Sequence, residues 1–305
     1  MAIARSPSKL TLPQTNPGVT TVVDYLIGKF PQIDAKVWRQ RAIGGKLHWH
    51  DGTLITPASA YRPKQRVYYY REVEQEPVVP FSETVLFADA DILLAYKPAF
   101  LPVTPGGRYV NECLQNRLRL KTGVENLQAI HRIDRATSGL VLFSLNPETC
   151  HLYHQLFASR QVHKTYQAIV KIDGDCDKPI EGKAWEVTNR LAPGDPRFLM
   201  QVCDGEANSH SRVRCIERLG ERALFELTPI TGKTHQLRVH MQALGWPILH
   251  DRYYPQLQPK SADNYAQPLQ LLAQQLSFID PVTSASRVFH CGYRLKLASE
   301  QFEMV

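Results

Sequence analysis

The sequence predicts an α+β fold in two domains, on three observations. Strand-like apolar runs recur at 84–96, 140–144, 164–170 and 223–229. Two segments of helical period, opening near Asn146 and Thr234, alternate with those runs. A basic stretch over 18–72 stands apart from them, set off by the acidic, proline-bearing run Glu72 to Ser82, the composition of a linker.

Residues 1–17 are polar and proline-broken, unlike a secretory signal, and are expected to form a mobile arm. Val22, Val23, Leu26, Ile27 and Phe30 have helical spacing, stopped by Pro31. Asp34 can cap a second helix that runs to Ile43 and ends at Gly44-Gly45. Lys36, Arg39 and Arg41 lie on that helix. Leu47 to Ile55 reads as a hairpin around Asp51-Gly52. The linker spans 73–82 and a larger domain 83–305. There, Asn146-Pro147 opens a helix as cap and first-turn proline, with Leu152, Tyr153, Leu156 and Phe157 as its apolar stripe. A further helix runs from Thr234 to about Leu244, closed by Gly245. Residues 171–222 and 255–270 read as loop-rich.

The 305 residues carry a net charge of +7, unevenly placed. Residues 1–75 hold 11 Lys/Arg against 5 Asp/Glu, and the remainder 25 against 24. A basic segment on a nearly neutral body is an electrostatic handle for a polyanion, most simply nucleic acid. Six scattered cysteines (Cys113, Cys150, Cys176, Cys203, Cys215, Cys291) include no Cys-x-x-Cys pair, which argues against a disulfide framework and structural zinc. No apolar run approaches the ~20 residues of a membrane helix. A reducing, cytoplasmic setting and a monomer are the default expectations.

Three segments carry candidate chemistry. His131-Arg132-Ile133-Asp134-Arg135-Ala136-Thr137-Ser138-Gly139-Leu140 places one carboxylate between two arginines in a polar loop between apolar runs. Its neighbours should keep Asp134 ionised at neutral pH. Lys164-Thr165-Tyr166-Gln167-Ala168 heads an alternating strand with Tyr166, Ala168 and Val170 on one face. In Thr231 to His240 a glycine turn leads into a helix whose Leu237, Met241 and Leu244 face the core, leaving His235, Arg238 and Gln242 on another side.

These segments resemble the signature motifs of the RluA family of pseudouridine synthases. Further matching stretches are Ala95 to Val103, Gly245 to Asp251 and Leu276 to Thr283, so the resemblance spans about 83–292 in consistent order. Residues 18–70 resemble the alpha-L type of small RNA-binding domain that many family members carry. The resemblance implies the pseudouridine synthase fold, built on a central mixed, mainly antiparallel sheet. It implies isomerisation of uridine in structured RNA, ribosomal RNA being favoured over transfer RNA, with neither metal nor organic cofactor. By motif position Asp134 is the catalytic carboxylate, as nucleophile or base. Tyr166 stacks on the base and assists proton removal, and Arg238 pairs with Asp134. Arg132 takes the place of a residue that holds or replaces the flipped nucleotide, and Lys233 that of an arginine beside the site. His131 is placed at the RNA as well, with loop orientation by hydrogen bonds as its other reading. Lys36, Arg39 and Arg41 are the RNA contacts expected of the small domain. The chain departs from the family pattern at Phe100 and His250, where glycine is usual, and at Tyr96, where a polar residue is usual.

Alternative readings fare worse. In the protein-kinase loop, His, Arg and Asp are contiguous, and no phosphate loop accompanies the motif here. A glycosidase would need a second acid beside Asp134, Asp251 being the candidate. Cys150 and His154, four apart on a helix, fit core and boundary positions better than a metal site. His48-Trp49-His50 sends both histidines to one side of a strand, for RNA contact or plain exposure. A non-catalytic RNA-binding module on the same fold is the remaining alternative.

Overall fold

The protein is described here by a computed structural model covering residues 1–172 and 180–298 and the backbone of 301–304. Cys176 lies outside the described residues; the other five cysteines are free thiols. The chain divides into two compact units. One holds Met1–Val78 and Pro105–Asn111, the other Val79–Thr104 and the chain from Glu112 onward.

The first unit contains β1 (Ala2–Ile3), β2 (Ser8–Thr11), α1 (Val22–Lys29), α2 (Ala35–Ile43), β3 (Leu47–Trp49), β4 (Arg66–Tyr69) and β5 (Glu72–Val73). Thr21 caps α1, its hydroxyl accepting from the Asp24 amide at 3.0 Å. Asp34 caps α2 through the Lys36 amide at 2.7 Å. Each cap satisfies an amide left unpaired by the first helical turn. The strands order as β2-β4-β3, antiparallel, and bury Leu47, Trp49 and Val67 with Leu26 and Trp38 of the helices.

Three expectations change here. Residues 1–17 do not form an arm: β2 pairs with β4, β1 pairs with β5, and Leu12 is buried. The prolines at 7, 13 and 17 flank β2 instead of interrupting it, and Leu10 and Leu12 supply its apolar side. Arg41 is only 5 % exposed, with its guanidinium 4.9 Å from the Trp38 ring and its Nε 3.5 Å from Glu72. It braces the unit's own core instead of meeting RNA. The expected linker is partly structural too: Glu72 also pairs with Lys46, and a Glu76 carboxylate oxygen accepts from the amides of Val110 and Asn111. The hairpin at Asp51-Gly52 is present, its returning limb reduced to a bridge between His48 and Leu54.

The second unit contains β6 (Thr84–Ala88), β7 (Ile92–Lys97), α3 (Leu114–Thr122), β8 (Gln128–Ala129), β9 (Ser138–Ser144), α4 (Cys150–Ala158), β10 (His163–Lys171), β11 (Ala184–Pro193), β12 (Met200–Cys203), β13 (Ser209–Leu219), β14 (Arg222–Pro229), α5 (Gln236–Ala243), β15 (Leu271–Ile279), β16 (Ser286–His290), β17 (Tyr293–Lys296) and β18 (Gln301–Met304). Its main sheet runs β12-β11-β13-β14-β10-β15-β9-β7-β6, with β16 on β15 and β8 on β9. Among the described residues β15 and β9 make its one parallel pairing; the rest is antiparallel. This is the mixed, mainly antiparallel sheet expected.

One apolar cluster gathers Leu142, Tyr153, Ile169 and Leu272 with Cys150, and another gathers Val170, Phe225, Leu227 and Met241. Cys150 is therefore a core residue. The stretch 171–222, expected to be loop-rich, instead supplies β11, β12 and β13. The Asn146 helix starts later than expected, at Cys150, because Asp91 binds both the Asn146 amide (2.9 Å) and the Thr149 hydroxyl (2.7 Å) and holds 146–149 as a turn.

Candidate active site

The loop bearing Asp134 joins β8 to β9, and its shape is fixed from three sides. The Asp134 carbonyl accepts from the Thr137 amide at 3.1 Å, closing a turn under the carboxylate. Arg135 forks onto Asp263 at 2.8 and 2.9 Å. Lys97 is fully buried and donates to the carbonyls of Leu101 (2.6 Å), Pro98 (2.8 Å) and Arg135 (3.1 Å). Burial, and then the Arg135 charge, hold its ammonium well below the usual lysine range.

His131 does not face RNA as a cation. Its ring stacks on Phe157 at 4.5 Å, and its Nε2 accepts from the Leu142 amide at 3.1 Å. Burial, then the Lys164 charge, push its pKa down to about 3, so it stays neutral and orients the loop. Arg132, next in the loop, is exposed and lines a cavity together with Asp134.

Tyr166 lies on β10, opposite Leu227 of β14 and Ala273 of β15. The register with β15 shifts between Thr165 and Tyr166. Burial, then the Asp134 charge, push the phenol up, so its hydroxyl is protonated at neutral pH.

Arg238 stands in the first turn of α5. Before it, Gln236 ties the glycine turn to β13: its Oε1 accepts from the Thr231 hydroxyl (2.7 Å) and Lys233 amide (3.0 Å), while its Nε2 donates to the Ser211 hydroxyl (2.8 Å) and His210 carbonyl (2.9 Å). His235 occupies the left-handed region at φ 54° just before the helix, its Nδ1 2.9 Å from the Tyr254 hydroxyl. Burial, the largest influence, lowers its pKa.

The Arg238 guanidinium is 3 % exposed and holds two carboxylates. Nη1 donates to Asp134 at 3.1 Å; Nε and Nη2 fork onto Asp251 at 2.7 and 2.6 Å. The cation also lies 4.8 and 5.2 Å from the ring centres of Tyr253 and Tyr254. The paired carboxylates, Asp251 first, raise its pKa despite burial.

One cavity of about 660 Å³ is lined by Asp134, Tyr166, Arg238, Arg132, Lys164 and Lys233, with His131 in its wall. Lys233 is exposed there. Lys36 and Arg39 are exposed on α2 of the other unit. The sequence reading missed three residues of the site. Asp251 was weighed only as a possible second acid, yet its side chain is fully buried on Arg238. His235 has its Nε2 3.9 Å from Asp134, and Lys164, at the head of β10, has its pKa lowered by burial. Their sequence signal was membership of the quoted motifs, without a spacing that announces contact.

The chain's likenesses agree with this geometry. The sequence profile of the family described as RNA pseudouridylate synthase matches residues 91–243. A dual-specificity RNA pseudouridine synthase RluA of Haemophilus influenzae is 31% identical over 231 residues, covering 70% of this chain and 94% of its own. The protein of the same name from Vibrio cholerae serotype O1 is 35% identical over 199 residues, covering 65% and 77%. The structure titled human RNA pseudouridylate synthase domain containing 1 has a TM-score of 0.59 at 20% identity, covering 76% of this chain and 93% of that one, a likeness of fold. The chain belongs to the RNA pseudouridylate synthase family, in its RluA group, and is an isomerase acting on RNA.

Proposed function

We propose that the chain converts particular uridines of structured RNA to pseudouridine, with Asp134, Tyr166 and Arg238 as its catalytic set. The observation that carries this is the 3.1 Å bond from Arg238 to Asp134 inside the cavity that Tyr166 also lines. The reaction breaks the bond from uracil N1 to ribose C1′, turns the base, and joins C5 to C1′. The proton on C5 leaves and one is returned to N1, so the product is an isomer. An ionised carboxylate beside the ribose serves as nucleophile at C1′ or as base at C2′. Arg238 aims Asp134 through a single charge-assisted bond. Tyr166 offers a flat face to the detached base. Its protonated hydroxyl relays the C5 proton instead of acting as a standing phenolate.

A uridine in a helix must leave its stack to reach this cavity. Arg132 and Lys233, exposed at the mouth, then meet the phosphates on either side of it. Lys36 and Arg39 give the first unit a basic helix for more distant phosphates, the role read for it from sequence. Ribosomal RNA is the favoured substrate; relatives include a tRNA pseudouridine(32) synthase of yeast mitochondria, 28% identical over 244 residues.

Chemical mapping of pseudouridine across ribosomal and transfer RNA of a strain lacking the protein tests the reading. One or a few pseudouridines disappear, and return with the wild-type gene but not with Asp134→Asn. The lost positions name the RNA class. A map that does not change on deletion would sink the enzymatic reading and leave a non-catalytic RNA-binding module.

A further inference from the structure

We infer that the outer face of the three-stranded sheet in the first unit is a second RNA site, one that takes an unstacked base. This rests on the proposal that the chain's substrate is RNA. Lys9 of β2 and His48 of β3 both pair directly with Tyr68 of β4, so the three side chains form one row on one face. The opposite face, with Leu10, Val67, Leu47 and Trp49, belongs to the core. Period two places Arg66 beside Tyr68 on the outer face, and Tyr70 follows it.

The aromatic rings on this face are aligned. Tyr68 stacks parallel to His48, with centres 5.1 Å apart and planes 5° apart. His50 lies on Tyr68 as well, at 5.9 Å and 20°, and its Nδ1 is 3.1 Å from the Tyr68 hydroxyl. Tyr70 extends the group at 6.1 Å from His48. A run of stacked rings with an exposed end continues naturally into a nucleobase. Lys9 and Arg66 are exposed, and neither joins an ion pair among the described residues. The strands β2, β3 and β4 contain no Asp or Glu at all. The nearest acid in sequence, Asp51, is engaged with the Thr53 amide at 2.9 Å.

Those features favour one occupant. A metal would need imidazole nitrogens that converge, yet His48 Nδ1 donates to the Trp49 carbonyl at 2.9 Å and His50 Nδ1 meets Tyr68. A rigid duplex would use the cations and leave the rings idle. A single-stranded segment uses both, phosphates on Lys9 and Arg66 and a base against the rings.

Fluorescence anisotropy on the full-length protein tests this, using a labelled 12-nucleotide RNA of A and C only, which offers the catalytic cavity no uridine. The same strand annealed to a DNA complement, whose T and G likewise bring no uridine, is the comparison. Tyr68→Ala should weaken single-strand binding about 10-fold and duplex binding less than about 2-fold, since one base stack is worth about 1–3 kcal/mol. Tyr68→Phe should bind like wild type. Lys9→Gln with Arg66→Gln, both exposed and harmless to folding, should lower the salt slope by about 1.4. The inference is overturned if the exposed-charge pair leaves the slope unchanged. It is equally overturned if folded Tyr68→Ala binds both RNAs like wild type, or if only Lys36→Gln with Arg39→Gln weakens binding. Each of those results leaves the Asp134-dependent pseudouridine map untouched, and a negative map leaves the Tyr68 comparison readable.

Discussion

Asp251 governs the site as firmly as Asp134 does, although it faces away from the cavity. It takes two of the three Arg238 nitrogens, and its Oδ1 also accepts from the Tyr253 and Tyr254 amides at 2.8 and 3.2 Å. Asp251→Ala would leave a buried cation with one partner, which typically costs about 3–5 kcal/mol. Urea denaturation should show a loss of that order, and pseudouridine formation should fall toward the Asp134→Asn level. Asp134, Tyr166, Arg238 and Asp251 all sit in segments that stand out in the sequence, but the hold of Asp251 on Arg238 does not, because an ion pair between a helix and the loop after it leaves no periodic trace. Phe100 and His250, read as replacing glycines, illustrate the converse. Their backbones lie at φ 66° and 62°, the left-handed region where glycine is easiest. The sequence showed the departure; only the structure shows why glycine is usual there. Phe100 is held in that conformation by a T-shaped contact with Tyr265 at 5.2 Å and by Arg135 above its ring at 5.9 Å.

At the scale of elements, the parallel pairing of β9 with β15 decides where the loop bearing Asp134 ends. Gly139 pairs with Ala273 at φ 114°, and a Cβ added there would lie 2.3 Å from the Ala273 carbonyl oxygen. That obstacle is backbone and cannot swing aside. Gly139→Ala should lose about 1–3 kcal/mol to backbone strain and a similar amount to the clash, lowering the thermal midpoint by several degrees. A variant with an unchanged midpoint would show that the two strands part easily. In the sequence Gly139 stands within the polar motif around Asp134; in the structure it is the second residue of β9, pressed against the neighbouring strand. The strands β11 to β13 were illegible for a different reason. The inward side of β13 carries Ser209, Ser211, Val213 and Cys215, and two buried serines mask the alternation that would mark a strand. Ser209 is satisfied by the Asn189 carbonyl at 2.9 Å and His240 Nε2 at 3.0 Å, partners that only the folded sheet provides.

For the molecule as a whole, two histidines, the half-buried His131 and the buried His240, contribute to the response to acid. His131 and His240 have pKa values lowered to about 3 and about 4, burial being the main cause in both. Unfolded, each takes a proton near 6.5. Between those values the unfolded chain binds protons that the folded one refuses, so stability rises with pH there. Their contribution should be complete above about pH 7 and shrink as pH falls from 6.5 toward 4, by up to about 1.4 kcal/mol per unit for each histidine. Urea midpoints at pH 7.5, 6.0 and 5.0 would follow that fall, and His240→Gln should make it shallower. Composition gives no sign that Pro105–Asn111 returns to the first unit, where the Asn111 side-chain amide nitrogen donates to the Ile3 carbonyl at 2.8 Å. The shared guanidinium of Arg238 has one more effect. With its charge shared between Asp134 and Asp251, Arg238 adds little to the pull on a polyanion; that falls to Arg132, Arg160, Lys164 and Lys233, which line the same cavity, all but Lys164 exposed. A phosphodiester backbone is drawn to those side chains and not to the guanidinium beneath them.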